Sequence, residues 1–156
     1  MPDKPIFSPA DAVLHERIRS CLGLPPSQSL PDSYPKHQMV RMVRNVAGIT
    51  VEQAAAIAGV DPVYWNAMEH GDRKISYALW QYFVLYLLGT FAHKKPRHIR
   101  PEQLKKLRNK YGLTQKQIKD VLFTSAESVL RWEKGRHNMP YQLFDLLEYK
   151  LANPQK

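Results

Sequence analysis

Apolar positions recur every three or four residues along most of the chain, and no stretch shows the strict alternation that is typical of a strand. This pattern predicts an all-α protein built from short helices. Glycines close several of these runs. Gly48 and Gly112 each follow an apolar helical period, where they suit the left-handed backbone of a C-terminal cap. Gly71 and Gly135 are predicted to end a later helix in the same way.

The same order of signals occurs twice. Residues 43–88, when shifted by 64, fall on residues 107–152 without a gap, and ten positions are identical. Each repeat contains a Thr-x-x-Gln capping box, beginning at Thr50 and at Thr114, which is typical of a helix start. We therefore predict five short helices in each repeat, and in the second repeat the last two of them can merge.

The segment before the first repeat has a different composition. Seven of the twelve prolines lie in residues 1–37, so a single short helix is expected there. Ser8 is the expected cap of this helix, with Asp11 at the capping-box position and Gly23 just past the end. Its apolar stripe comprises Leu14, Ile18, Cys21 and Leu22. We expect the helix to pack on the following repeat, with residues 24–37 as an extended connector.

The net charge of +9 changes the picture because it is confined to one end of the chain. Residues 1–37 and residues 38–93 each contain four Lys and Arg against four Asp and Glu, so both sum to zero. Residues 94–156 contain fifteen against six, which accounts for the whole excess. A basic balance can reflect solubility alone, but its confinement to one segment favours a polyanionic ligand.

The stretch from Leu107 to Arg136 carries the most specific motif. It contains Gly-Leu-Thr-Gln, then an apolar helix, then Trp-Glu-Lys-Gly-Arg, and it closely resembles the phage Cro and repressor helix-turn-helix family, also called the XRE family. The first repeat follows the same frame less closely, through Gly48-Ile-Thr50 and Met68-Glu-His-Gly71. The resemblance implies two tandem lambda-repressor-like helix-turn-helix domains after the proline-rich segment.

The domain layout that the resemblance implies has four parts. They are an N-terminal helix and connector at residues 1–37, a divergent unit at 38–92, a basic linker at 93–100 and a DNA-binding unit at 101–156. Within the last unit, helices are expected at residues 101–111, 115–122, 126–134 and 141–151. Its core is expected to comprise Ile118, Val121, Leu122, Val129, Trp132, Leu143 and Leu147.

The family also pairs an Arg of its first helix with the Glu that ends its third. Arg108 and Glu133 match these positions in the second repeat, and Arg44 and Glu69 match them in the first. The resemblance therefore implies two structural ion pairs that fasten the third helix to the first.

Residues on the third helix of the second repeat that point away from Val129 and Trp132 are expected to face DNA. These base-contact candidates are Ala126, Glu127, Leu130 and Arg131. Arg131 can donate to O6 and N7 of guanine, and Glu127 can accept from N4 of cytosine. Phosphate contacts are expected from Gln115, Thr124, Ser125, Lys134, Arg136, Asn138, Lys94, Lys95 and Arg97. The alternative for Arg131 is that it lies on a solvated face without contacting bases. The alternative for the basic linker is that it is a solvated spacer that merely tolerates charge.

The last helix of the first repeat, at residues 79–88, is apolar around its circumference apart from Gln81. A helix that is apolar on all sides is buried on all sides, and this run is too short to span a membrane. The second repeat, the N-terminal helix or another subunit are the alternatives for what covers it. We expect a homodimer. The candidates for this dimer or interdomain interface are Trp80, Tyr82, Phe83, Tyr86 and Leu87.

No enzyme chemistry is expected. The lone Cys21 cannot form an internal disulfide, and the six histidines have no Cys or carboxylate at metal-ligand spacing. No phosphate loop or nucleophile–base arrangement occurs, so no metal or cofactor is predicted. The interpretation is a cytoplasmic transcriptional regulator of bacterial, phage or plasmid origin that binds double-stranded DNA. The alternative is an antitoxin or adaptor whose first unit binds a protein partner.

Overall fold

The computed structural model describes residues 11–24, 31, 35–91 and 95–154, and over these residues the regular secondary structure is helical. Its helices are α1 (Ala12–Leu22), α2 (His37–Ala47), α3 (Val51–Ala58), α4 (Pro62–Glu69), α5 (Tyr77–Leu87), α6 (Pro101–Lys110), α7 (Gln115–Leu122), α8 (Ala126–Glu133) and α9 (Tyr141–Ala152). The chain divides into two compact units, a first unit of Met1–His93 and a second unit of Lys94–Lys156. The predicted all-α class is confirmed.

The two units place their helices in the same register. A shift of 64 carries α3 onto α7 and α4 onto α8 with both ends matching. The expectation of five short helices is wrong for the first repeat, where residues 77–87 form one continuous helix. In the second repeat the last two predicted helices merge into one at residues 141–152, as the prediction allowed. Neither stretch contains a Gly or Pro that would break it.

Local capping chemistry sets the helix ends. The hydroxyl of Thr50 accepts from the Gln53 amide at 3.1 Å, and the Gln53 side chain accepts from the Thr50 amide at 2.8 Å. Gly48 ends α2 with a φ of 71°, as its αL position requires. At the end of α7 the αL position belongs to Phe123, with a φ of 52°, although its counterpart in the first unit is Gly59.

The N-terminal helix begins differently from the prediction. Asp11 is itself the N-cap of α1, and its carboxylate accepts from the amides of Val13 and Leu14. The expected cap, Ser8, lies outside the described residues. A carboxylate one residue before the first turn reaches two free amides directly, so Asp11 does not act as a capping-box partner. Gly23 ends the helix in the left-handed conformation, as predicted.

The core of the first unit includes α1. Leu14 and Ile18 are buried in the same cluster as Trp65 of α4 and Phe83 of α5. The rings of Trp65 and Phe83 have centroids 4.7 Å apart. The predicted packing of the N-terminal helix on the first repeat is therefore present, and α1 packs against α2 within this core.

The predicted interface on α5 is buried within the single chain. Trp80, Phe83 and Leu87 lie in the core cluster, and Tyr82 is buried with its ring 4.8 Å from that of Phe91. Tyr86 is half-buried against the same core. A subunit interface needs side chains that the single chain leaves exposed, so this burial does not favour a dimer through α5, and the homodimer stays a prediction. Among the described helices, none combines the length and apolar character needed to cross a membrane.

The second unit has a smaller core around α7, α8 and α9. Five of its seven predicted core residues are buried, whereas Val121 and Leu143 are half-buried. The prediction missed Leu104, Leu107, Met139, Phe144 and Leu146, which are also buried.

In each repeat, a buried polar residue at the same position of the last helix binds the segment that precedes the first helix of that repeat. In the first unit, the Gln81 amide donates to the carbonyl of Pro31 at 3.3 Å. In the second unit, the carboxylate of Asp145 accepts two hydrogen bonds from Arg97. Gln81 and Asp145 differ by 64 in number, so the last helix of each unit performs the same task with different chemistry.

Candidate nucleic-acid interface

The inner face of α8 is fixed to the second unit. The hydroxyl of Ser125 accepts from the amide of Ser128 at 3.1 Å and thereby starts the helix. Val129 and Trp132 are buried on the inner side. The turn of three residues between α7 and α8 therefore leads into a helix whose orientation is set by packing.

A buried ion pair fastens the end of α8. Nε of Arg108 on α6 donates to Glu133 at 2.8 Å, and Nη2 of the same guanidinium donates to the second carboxylate oxygen at 3.1 Å. The hydrogen bonds to Glu133 raise the pKa of the Arg108 guanidinium. A third donor, Nη1, reaches the carbonyl of Leu113 at 3.1 Å. The family resemblance implied this pair, and it is present.

The side chain of Gln115, an expected phosphate contact, is also engaged at this ion pair. Its Nε2 donates to Glu133 at 3.2 Å, so it serves the same carboxylate as Arg108. The backbone N–H of Gln115 lies in the first turn of α7, where helix amides have no partner within the helix. A phosphate contact at this position would therefore come from the backbone.

The outer face of α8 is open to solvent. Ala126, Glu127 and Leu130 are exposed, and the side chains of Glu127 and Arg131 are 66% and 43% exposed. Glu127 and Arg131 form an ion pair one helical turn apart. The four predicted base-contact residues thus share one accessible face, which offers both an acceptor and a forked donor.

A cationic loop follows α8 directly. Lys134, Arg136, His137 and Asn138 are all exposed. On the other side of the helix, Ser125 is exposed and Thr124 is half-buried. The predicted phosphate contacts of the second unit therefore lie on both flanks of α8.

Arg97 has a different environment from the one that a free linker would give it. Its Nη1 donates to Asp145 at 3.1 Å, and the Asp145 side chain is 0% exposed. The guanidinium also lies 5.8 Å from the centroid of the Phe144 ring. Burying Asp145 without a cation would be costly, so Arg97 fixes the linker to α9 and is not a free phosphate ligand. Lys95 is exposed, and Lys94 lies outside the described residues.

A backbone bridge brings the linker beside the cationic loop. Ile99 pairs with Met139 in an antiparallel bridge, and both side chains are buried. Because side chains alternate along extended backbone, Arg100 and Asn138 face outward on the same side, and both are exposed. Arg100 belongs to the predicted basic linker but is not among the predicted phosphate contacts. The apolar Ile99 inside a basic run was the available signal that this part of the linker is held.

Lys150 of α9 supports the turn between α7 and α8. Its Nζ donates to the carbonyl of Val121 at 2.8 Å and lies 4.7 Å from the centroid of the Phe123 ring. Burial lowers the pKa of Lys150 to about 8. The residue satisfies a carbonyl at the end of α7, a role that the helical periodicity of α9 did not indicate.

The corresponding face of the first unit carries different residues. The counterparts of Glu127 and Arg131 on α4 are Val63, which is 79% exposed, and Ala67. The frame behind this face is the same, because Arg44 donates to Glu69 and to the carbonyl of Ile49. The first unit therefore repeats the support but not the charged surface.

No group of three or more His, Cys, Asp or Glu side chains able to hold a metal ion occurs within residues 11–24, 31, 35–91 and 95–154. Searches with this chain against models of known protein families, against curated proteins and against solved structures find no match. The function therefore has to be argued from the residues of the chain itself.

Proposed function

We propose that this protein is a transcriptional regulator that binds double-stranded DNA in a sequence-specific manner. In this proposal the two units are tandem helix-turn-helix domains, and α8 enters the major groove. The observation that carries the proposal is the outer face of α8, where Glu127 and Arg131 are exposed while Val129 and Trp132 hold the helix from behind.

The physical argument has two parts. A major groove about 12 Å wide admits one α-helix, whose outward side chains then meet the base edges. Arg131 supplies two parallel donors that suit guanine, and Glu127 supplies an acceptor that suits the amino group of cytosine. Lys134 and Arg136 flank the helix where the phosphate backbone would pass.

The charge distribution supports a polyanionic ligand for the second unit. All of the net charge of +9 lies in residues 94–156. Within this unit the acidic Glu133 and Asp145 are buried and paired with Arg108 and Arg97. Each pair removes one positive and one negative charge, so the excess of nine positive charges remains, carried by the other thirteen Lys and Arg residues against four acidic ones.

The test is selection of binding sites from random duplexes with the intact chain, followed by titration of the recovered site across salt concentrations. Arg131→Ala is expected to weaken that site by about 1–3 kcal/mol and to relax one base position. The matched control Lys36→Ala removes one exposed charge from the first unit and should change neither quantity. Recovery of no preferred sequence, or an affinity that does not fall with salt, would refute the proposal.

The proposal does not include a homodimer through α5, whose side chains are buried in the single chain. Sedimentation at micromolar concentration measures the oligomeric state directly. A dimer found in that experiment would have to use another surface. Persistence of that dimer in the Phe83→Tyr variant would agree with the burial of Phe83 in the single chain.

A second candidate is an antitoxin or adaptor that binds a protein partner through its first unit. Val63 is 79% exposed on α4, and Tyr64 beside it lines a cleft of about 440 Å³ with Met68, Ile75 and Leu79. Exposed apolar side chains next to a cleft are typical of interaction surfaces. A stoichiometric partner that co-purifies and is lost on Val63→Glu favours this candidate; a partner-free chain that binds DNA counts against it.

A further inference from the structure

The first unit contains a cleft with a cationic lining, although its net charge is zero. The cleft has a volume of about 590 Å³ and lies between α1, α2 and the end of α4. Its charged and imidazole side chains are those of Arg17, His37, Arg41, Glu69 and His70. Two guanidinium groups and two imidazoles therefore face one concave surface.

The acidic residue in this lining is already neutralised. Glu69 is buried, accepts from Arg44 at 3.1 Å, and also accepts from Nε1 of Trp65 at 2.6 Å. Arg17 and Arg41 are exposed, and no ion pair of either occurs with any residue that the structure describes. The cleft thus presents positive charge with no compensating carboxylate of its own.

The repeat relates this cleft to the edge of the proposed DNA interface. A shift of 64 carries Arg41 onto Lys105 and His70 onto Lys134. Lys134 begins the cationic loop that flanks α8, and Glu133 before it has the same partner chemistry as Glu69. The first unit therefore has an imidazole where the second has the ammonium of Lys134, and α1 adds Arg17, which has no counterpart in the second unit.

The adjoining helix lacks the two charged groups that are proposed to read bases on α8. Val63 and Ala67 occupy the positions of Glu127 and Arg131, so the carboxylate and the forked donor are absent, although Asn66 is exposed on α4 and its amide can pair with adenine. The cations of the cleft itself suit phosphates, whose contacts position a protein without specifying sequence.

We infer that the cleft of the first unit binds the phosphate backbone of the same duplex DNA, independently of sequence, while α8 selects the site. This inference rests on the proposed function of the second unit. It assigns the first unit a positioning contact through Arg17 and Arg41.

The experiment compares the full chain with the double variant Arg17→Gln/Arg41→Gln on the selected site and on random duplex. Each phosphate contact contributes about 0.9 to the slope of log affinity against log salt. Between 50 and 200 mM salt, the factor by which the affinity falls should therefore be about tenfold smaller for a variant that loses two contacts. The reduction should be equal on both duplexes, and the base preference should stay unchanged.

The matched control is Arg73→Gln/Lys74→Gln, which removes two positive charges from the first unit outside the cleft. Arg73 lies over the Tyr64 ring and Lys74 lines the apolar cleft. Equal loss of slope in the control would overturn the inference, because it would show an effect of net charge alone. Helical content by circular dichroism verifies that each variant is folded.

The remaining outcomes separate the inference from the proposed function. An unchanged slope in the Arg17/Arg41 variant, with site selection intact, overturns the inference alone. A changed base preference in that variant also overturns it, because a backbone contact carries no sequence information. Failure of the unmodified chain to bind any duplex overturns both.

Discussion

The two units share a supporting frame and differ on the surface that the frame supports. In the first unit Nη1 of Arg44 donates to the carbonyl of Ile49 at 2.9 Å, and in the second Nη1 of Arg108 donates to that of Leu113 at 3.1 Å. The same guanidinium groups hold Glu69 and Glu133 by two further hydrogen bonds each. The Arg and Glu positions that form the buried ion pair therefore persist between the repeats, while the surface in front of them differs.

The second partner of the structural glutamate shows how much the repeats can vary without losing the frame. Glu69 accepts from the indole of Trp65 at 2.6 Å, whereas Glu133 accepts from the amide of Gln115 at 3.2 Å. These donors come from different helices, α4 and α7. The carboxylate needs another donor in its buried site, but the sequence position of that donor is free.

The largest expected effect tests whether the frame is shared. Glu69→Ala and Glu133→Ala should each lower the free energy of unfolding of their unit by about 3 kcal/mol, because an Arg is left mostly buried without its carboxylate. The loss should be greater for Glu69→Ala, since Arg44 is more buried than Arg108 and Trp65 also loses its acceptor. Native-state hydrogen exchange measures each unit separately.

The contradicting outcome is a small loss in only one unit. It would mean that water can replace the carboxylate of that ion pair. The two frames would then share their geometry but not their contribution to the free energy of unfolding. Glu148→Ala, which removes a half-buried carboxylate from α9, is the control for loss of a negative charge.

The next effect concerns how the two cores place their large side chain. The first unit has Trp65 and Met68 where the second has Val129 and Trp132, and all four are buried. Trp65→Val should therefore cost about 3 kcal/mol in the first unit. Adding Met68→Trp should restore part of that loss, because it recreates the arrangement of the second unit. Additive losses in the double variant, by urea unfolding, would show that the two cores are not interchangeable.

Most helix positions could be predicted from the sequence because local chemistry sets them. The capping box at Thr114 indicates the start of α7, and the bounds that the family resemblance implies, 115–122, are those observed, Gln115–Leu122. The partners of Arg97 and Lys150 could not be predicted in this way. Asp145 lies 48 residues from Arg97 and Val121 lies 29 residues from Lys150, and no local pattern reports contacts at such distances.

The alternatives for α5 stay open in the sequence for a related reason. An apolar circumference requires burial but does not identify the neighbours that provide it. Ile18 of α1 belongs to the same core as Trp80 and Phe83, and no pattern in so short a helix indicates which apolar surface it packs against. On α8 the pattern was sufficient, because Val129 and Trp132 divide the helix into an inner and an outer face.

A smaller effect is expected where the last helix anchors the preceding segment. Asp145→Asn should destabilise the second unit by about 2 kcal/mol, since charge-assisted hydrogen bonds from Arg97 are lost. Gln81→Leu should be close to neutral, because Oε1 of Gln81 is buried and has no hydrogen-bond partner among the described residues. Thermal unfolding of the two variants compares the anchors. Equal losses would show that the charge of Asp145 adds nothing to its position.

The smallest effect distinguishes the two units by pH. Burial lowers the pKa of Lys150 to about 8, whereas its counterpart in the first unit is Tyr86. The unfolded chain holds the Lys150 proton up to the ordinary pKa of about 10.4, so between these values it binds more protons than the folded chain. The burial penalty is therefore full below pH 8 and is relieved as the pH rises toward 10. Over this range the second unit should become more stable relative to a Lys150→Met variant. The control is Lys106→Met, on the exposed face of α6, which should show the pH dependence of the unmodified chain. Hydrogen exchange in the second unit measures the difference in stability between the unmodified chain and Lys150→Met. If that difference stays constant from pH 7 to 10, the ammonium of Lys150 is not desolvated.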